Sequence, residues 1–269
     1  MTPAAAPIVC LHSSGAGGRQ WRRLLADAAA AGHSWTWHAP DLLGHGSRPG
    51  WPAEAVGDLA HEARELLNHL QLPAEQPLHL VGHSYGGATA LQIALMHPER
   101  VRSLTLYEPV AFGVLPALGE DLPEWCEARD VAAAVTAALA RGDTDAAARG
   151  FVGYWQGRDV WPELDAAQRA RLAEPMPTIR HHFDALFAAR WQPAQLATLR
   201  MPVRLIFGSA TRASARRVAL TLAAQLPNVQ AVELDGAGHL APIADAARVN
   251  PLILAHLAGM LGQPTRHPG

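Results

Sequence analysis

Apolar positions along the chain alternate between two textures. Short apolar-rich stretches at 8–11, 35–39, 78–81, 101–107, 203–207 and 229–234 predict strands, with that at 78–81 buried. Between them lie longer stretches with apolar residues at helical spacing. In 54–70 the series Val56, Leu59, Ala63, Leu66, Leu67 and Leu70 marks one face and stops ahead of Pro73. Further helices are expected over 21–31, 85–95, 214–225 and 244–261. Strands separated by helices imply right-handed crossovers and a mostly parallel sheet covered on both faces.

The pattern breaks between 112 and 199. No strand-like run occurs there. Ala-rich helical segments over 131–141, 143–154, 163–173 and 178–190 are punctuated by Pro162, Pro175, Pro177 and Pro193. This predicts a helical insertion lying over the sheet, with 1–111 and 200–269 forming the α/β core.

The stretch Leu80-Val81-Gly82-His83-Ser84-Tyr85-Gly86-Gly87 joins an expected strand to an expected helix. Ser84 therefore falls on a sharp turn, in the pattern Gly-x-Ser-x-Gly. A nucleophile held on such a turn needs neighbours with little or no side chain two residues away on each side. The turn also brings the hydroxyl near a helix N-terminus, whose free backbone N–H groups can stabilise an oxyanion.

Composition narrows the chemistry. The chain has 269 residues and is 49% hydrophobic, enough for one large α/β domain or a core with an insertion. The formal net charge is -2, and all 22 basic residues are Arg. Without Lys, neither a Schiff base nor a Walker-type phosphate loop is available. The Gly/Ser loop at 12–18 matches no dinucleotide fingerprint. With no basic run, neither nucleic acid nor an anionic membrane is an expected partner. Cys10 and Cys126 are too few for a disulfide framework, and Cys10 reads as a buried free thiol. The N-terminus shows no signal-peptide pattern, and no apolar stretch approaches the ~20 residues of a membrane span, so a cytoplasmic location is expected.

A serine needs an imidazole as general base, and a carboxylate to orient that imidazole. Among 14 histidines, His239 stands out by its loop, Asp235-Gly236-Ala237-Gly238-His239, between the last strand and the last helix. His12 and His83 flank the motifs and read as core hydrogen-bonding residues, and Asp41 as a turn cap. His181 and His182 are adjacent, so on a helix they diverge and make a poor metal site. The tryptophans of the helical insertion read mainly as packing residues. Trp155, Phe183 and Phe187, with Trp191, are candidates for the wall of a ligand pocket.

Gly82-His83-Ser84-Tyr85-Gly86-Gly87, Leu11-His12-Ser13-Ser14-Gly15, Asp41-Leu42-Leu43-Gly44-His45-Gly46-Ser47, His97-Pro98-Glu99-Arg100-Val101 and Gly236-Ala237-Gly238-His239 together resemble the α/β-hydrolase family over nearly the whole chain. The resemblance implies Ser84 as nucleophile, His239 as base, and the backbone N–H groups of Ser14 and Tyr85 as oxyanion hole. It places the helical insertion where that family carries a lid. Two departures follow. The family usually has two strands ahead of the one at 8–11, so a trimmed sheet of about six parallel strands is expected. Its usual acid follows the strand at 203–207, where this chain reads Gly208-Ser209-Ala210-Thr211-Arg212-Ala213-Ser214, without a carboxylate. Glu108, ending the strand after the Ser84 turn, is the candidate acid, as in lid-bearing members such as haloalkane dehalogenases. Asp235 is the runner-up.

The expected activity is hydrolysis of a small, largely apolar ester, lactone or thioester through an acyl-enzyme, with no metal or organic cofactor. Carbon–carbon hydrolysis of a diketone-type substrate is the alternative enzyme. A non-catalytic small-molecule binder is the alternative of another class. The expected partner is the small-molecule substrate, and a homodimer is left open.

Overall fold

The computed structural model describes residues 6–55 and 57–261. Val56, counted in the helical spacing above, and residues 1–4, read for a leader, lie outside them. Among the described residues, strands β1 (Ile8–Leu11), β2 (Trp37–His38), β3 (Leu78–His83), β4 (Val101–Tyr107), β5 (Val203–Gly208) and β6 (Val229–Leu234) form one sheet. The order is β2-β1-β3-β4-β5-β6, and every adjacent pair is parallel. The chain leaves β1 for β2 on one side and returns past it to β3 on the other. That reversal opens a crevice at the carboxyl ends of β1 and β3, where ligands bind in open parallel sheets.

Helices α1 (Arg22–Ala30), α2 (Leu59–Leu70) and α3 (Tyr85–Met96) lie within the first part of the chain. Between β4 and β5 come α4 (Pro123–Ala140), α5 (Thr144–Gln156), α6 (Ala166–Ala173), α7 (Met176–Ala188) and the short α8 (Pro193–Leu196). The last part adds α9 (Ala213–Gln225), α10 (Ala241–Ala244) and α11 (Ala246–Leu261). Alternation along the strands sorts the core into two layers. Ile8, Cys10, Val81, Tyr107 and Ile206 face Trp21, Leu24, Val249, Ile253 and Leu257 on one side. Val9, Leu11, Leu80, Leu104 and Leu205 face α2, α3 and α9 on the other, where the core runs on into α4, α5 and α7. Cys10 is fully buried and unpaired, and burial pushes its thiol pKa up.

Several boundaries differ from the hydropathy reading for local reasons. The helix expected from residue 54 starts at Leu59, because the Asp58 side chain accepts the Ala60 N–H at 2.9 Å and fixes the N-terminus there. Residues 53–55 form only a 3₁₀ turn. The helix expected from 131 begins at Pro123, a residue well suited to a first helical turn. The last helix is interrupted at Asp245, giving α10 and α11. The strand expected over 35–39 shrinks to Trp37–His38, while Trp35 stacks on His33 with ring centroids 3.8 Å apart.

Candidate active site

Ser84 stands between β3 and α3 with φ 57° and ψ −122°, a region that a residue with a side chain rarely adopts. Close packing around the turn explains its glycines. A Cβ on Gly82 would lie 2.6 Å from the Gly86 carbonyl oxygen, and one on Gly86 would lie 2.4 Å from that of Leu11. The elbow therefore fits only because β3, the start of α3 and the end of β1 approach with no side chain between them.

Glu108, the residue after β4, also has a positive φ, 40°. Its N–H donates to the Ile206 carbonyl of β5 at 2.9 Å. Its buried carboxylate accepts the Gly208 N–H at 2.8 Å and the Thr211 hydroxyl at 2.6 Å. The loop that lacks a carboxylate thus supplies two donors to one. Glu108 Oε2 also lies 2.7 Å from His239 Nδ1, and His239 Nε2 lies 2.8 Å from Ser84 Oγ. With Nδ1–H donating to the carboxylate, Nε2 is left bare to accept the serine proton.

The His239 imidazole is fixed from several directions. His83 Nε2–H donates to the His239 carbonyl at 2.8 Å, while its Nδ1 accepts from the Gln20 amide at 3.1 Å. The Tyr107 hydroxyl donates to the Gly238 carbonyl at 2.8 Å. The Trp155 indole stacks on the imidazole, with centroids 3.7 Å apart and planes 19° from parallel. Burial holds His83 well below the usual histidine range, so it stays neutral. Asp235 ties its loop to the one after β5 by accepting the Ser209 hydroxyl at 3.2 Å. Asp41 ties its loop to the turn after β1 by accepting the Gly18 N–H at 2.8 Å. His12 bridges the same two loops, its Nε2 accepting the Leu42 N–H at 2.9 Å.

The Tyr85 N–H is the first of α3 and has no intrahelical acceptor. Among the described residues, neither it nor the Ser14 N–H is spent on another backbone acceptor. A narrow cavity of about 10 Å³ lies at the serine, between Ser14, Ser84, Val110, Trp155, Ile179, His182 and Phe183. Beyond Trp155 and Ile179 an apolar chamber of about 240 Å³ extends past Leu164, Leu172, Met176 and Leu240. Ile243, 51% exposed, marks its open side. Trp155 lines both spaces and Phe183 the first. Phe187 lines neither. One turn further along α7, it packs edge-on against Trp125 at 5.2 Å. Trp191 is buried, with its N–H donating to the Gln92 side chain at 3.0 Å.

Thr211, Tyr107, Gln20 and His182 carry no motif that singles them out in the sequence, and each is recruited by contacts between distant segments. Among the described residues, no group of three or more His, Cys, Asp or Glu side chains is arranged to hold a metal ion. No helix of the described residues is long and apolar enough to cross a membrane.

A parallel sheet carrying a strand–serine–helix turn, with a histidine and a carboxylate brought to its carboxyl edge, defines the architectural class. The model of the alpha/beta hydrolase fold family matches residues 6–246, and the chain belongs to that family. It is 31% identical to the magnesium-chelatase 30 kDa subunit of Rhodobacter capsulatus, over 96% of this chain and 89% of that protein. It is 36% identical to the lipase LipV of Mycobacterium tuberculosis over 107 residues, which are 39% of this chain and 37% of the lipase. A hydrolase from Pseudomonas aeruginosa superposes with a TM-score of 0.73 at 24% identity, covering 95% of this chain and 91% of that one, which shows the shared fold.

Proposed function

We propose that the chain is a serine hydrolase that cleaves a small, largely apolar ester, lactone or thioester through an acyl-enzyme. The observation that carries this reading is the continuous line Ser84 Oγ–His239 Nε2, His239 Nδ1–Glu108 Oε2, at 2.8 and 2.7 Å. Ser84 attacks the carbonyl carbon while His239 takes its proton, and Glu108 stabilises the imidazolium that forms. The unspent N–H groups of Ser14 and Tyr85 receive the oxyanion. His239 then returns the proton to the leaving group, and water, activated by the same imidazole, releases the acid. The helices over residues 112–199 act as a lid that supplies Trp155, Phe183 and Ile179 to the substrate. A chamber of about 240 Å³ is below the usual range of ~300–1,000 Å³ for drug-sized ligands, which favours a small substrate.

The test is hydrolysis of p-nitrophenyl acetate, butyrate and octanoate by the wild type and by Ser84→Ala. Turnover that the substitution lowers by about 10⁴-fold or more supports the serine mechanism. Turnover indifferent to Ser84, or absent for all three esters, overturns the ester reading.

A further inference from the structure

We propose that His182 is a substrate-binding residue that recognises a hydroxyl group on the acyl chain, close to the carbonyl that Ser84 attacks. The proposal rests on the serine-hydrolase reading and deepens it, because it names short hydroxyacyl esters as the substrate class.

His182 reaches the cavity from α7 and shares its wall with Ser14 and Ser84. Its ring cannot swing freely. One face stacks on the Tyr85 phenol, with centroids 3.7 Å apart and planes 6° from parallel. His45 lies nearly parallel to the ring at 5.3 Å. Nδ1 is 2.8 Å from the Ser14 hydroxyl, so the imidazole is tied to the residue whose N–H stands ready for the oxyanion. The other nitrogen, Nε2, is buried and has no protein partner among the described residues. Other buried nitrogens and oxygens in the described structure also lack partners, but none of them belongs to a residue on the wall of the Ser84 cavity. An unsatisfied buried polar atom is costly, and a substrate group that enters the cavity His182 lines can satisfy it.

The chemistry of that group follows from the ring. Burial, reinforced by His45 and His12, holds His182 well below the usual histidine range, so the imidazole is neutral. Nε2 then carries either a hydrogen or a lone pair, depending on which way the Ser14 hydroxyl turns. A hydroxyl both donates and accepts, so it pairs with either tautomer. A plain alkyl chain leaves Nε2 unpaired. A carboxylate would bring a charge against Val110, Ile179 and Phe183, which offer it no counter-ion. The tightness of the cavity at Ser84 limits the hydroxyl to within a few bonds of the scissile carbonyl, and the apolar remainder fits the larger chamber.

The experiment compares kcat/KM for p-nitrophenyl 3-hydroxybutyrate and p-nitrophenyl butyrate in the wild type, His182→Phe, Ser14→Ala and Ser84→Ala. Phenylalanine keeps the stack on Tyr85 and fills the same space without the nitrogens. The wild type is expected to prefer the hydroxy ester by about 10–100-fold, a preference that His182→Phe reduces to about one. Ser14→Ala is expected to retain a preference, because it removes the Nδ1 partner and leaves Nε2 in place. Equal kcat/KM for the two esters in the wild type, or an unchanged ratio in His182→Phe, overturns the proposal. If neither ester shows Ser84-dependent turnover, it is the hydrolase reading that fails. The His182 assignment is then judged by calorimetric binding of methyl 3-hydroxybutyrate and methyl butyrate to Ser84→Ala, with and without His182→Phe. Tighter binding of the hydroxy ester that the second substitution abolishes supports it, and equal binding overturns it.

Discussion

Glu108 and His239 are 131 residues apart in sequence and meet at 2.7 Å between the ends of β4 and β6. The strand between them, β5, is followed by the loop that lacks an acid. Its Gly208 N–H and Thr211 hydroxyl hold both carboxylate oxygens of Glu108, and the second oxygen also faces the imidazole. A carboxylate with three hydrogen-bond partners has little freedom to turn, and that rigidity selects one tautomer of His239.

Glu108→Gln tests that selection. The amide fits the same space but cannot both accept from Nδ1–H and compensate an imidazolium. The expected result is a kcat for p-nitrophenyl butyrate about 10³–10⁴-fold lower, with KM little changed. Thr211→Val removes one of the bonds that aim the carboxylate and is expected to lower kcat by only about 3–10-fold. A Glu108→Gln enzyme of undiminished kcat would remove Glu108 from the mechanism.

Trp155 has two consequences that a single substitution separates. Its ring stacks on His239 at 3.7 Å and also stands between the serine cavity and the apolar chamber. The face of an indole favours the cationic imidazole formed during turnover, by about 0.5–2 kcal/mol. Trp155→Leu is therefore expected to slow acetate hydrolysis by roughly 2–30-fold. Removing the partition should at the same time move the chain-length optimum from the short esters toward octanoate. Steady-state kinetics on the three p-nitrophenyl esters reads both effects, and an unchanged profile of rates would show that Trp155 neither supports the imidazole nor divides the space.

The sheet was legible in the sequence because its inner strands, such as Ile8–Leu11 and Leu78–His83, are short apolar-rich stretches that end in turn residues. The span 101–107 coincides with β4. The Ser84 turn and the His239 loop were legible because backbone geometry there dictates residue type, above all glycine. Glu108 could be reached by finding the Gly208 loop without an acid and asking which other strand end faces the same crevice. Contacts between segments far apart in sequence were not legible. His83 reads as a core histidine, yet only the fold brings its Nε2 to the His239 carbonyl. His182 lies beside His181 in a helix whose apolar spacing says nothing about which imidazole faces Tyr85. Phe183 and Phe187 share one helical stripe, and only the third dimension separates the one at the cavity from the one against Trp125.

The elbow glycines are expected to tolerate no side chain. In Gly86→Ala the new methyl would meet the Leu11 and His12 carbonyl oxygens at 2.4 and 2.5 Å. Both belong to backbone at the end of β1, which cannot yield without disturbing the sheet. The expected loss exceeds about 3 kcal/mol, the range of severe core overpacking. Urea unfolding monitored by tryptophan fluorescence measures it, and a midpoint equal to that of the wild type would contradict the close approach.

Glu62 links the stability of this region to pH. It is fully buried on α2, where its carboxyl accepts the Leu43 N–H at 3.0 Å and the Tyr85 hydroxyl at 3.3 Å. Burial raises its pKa from the usual 4.5 to about 7, against the opposing effect of these hydrogen bonds and of Arg48. Between those values the folded state keeps a proton that the unfolded chain has lost. The contribution is thus fully present below pH 4.5 and disappears as pH rises through about 7. Glu62→Gln cannot ionise, yet it retains an acceptor for Leu43. The stability of the variant relative to the wild type should therefore grow by up to about 3 kcal/mol from pH 4.5 to 7.5. Denaturant unfolding of both proteins at several pH values isolates this difference from every other titration, since the remaining groups are common to the two. Parallel curves would mean that Glu62 is already ionised at low pH and that burial does not govern it. A widening gap would identify Glu62 as a buried carboxyl whose desolvation on ionisation costs the folded state stability, despite the donors supplied by Leu43 and Tyr85.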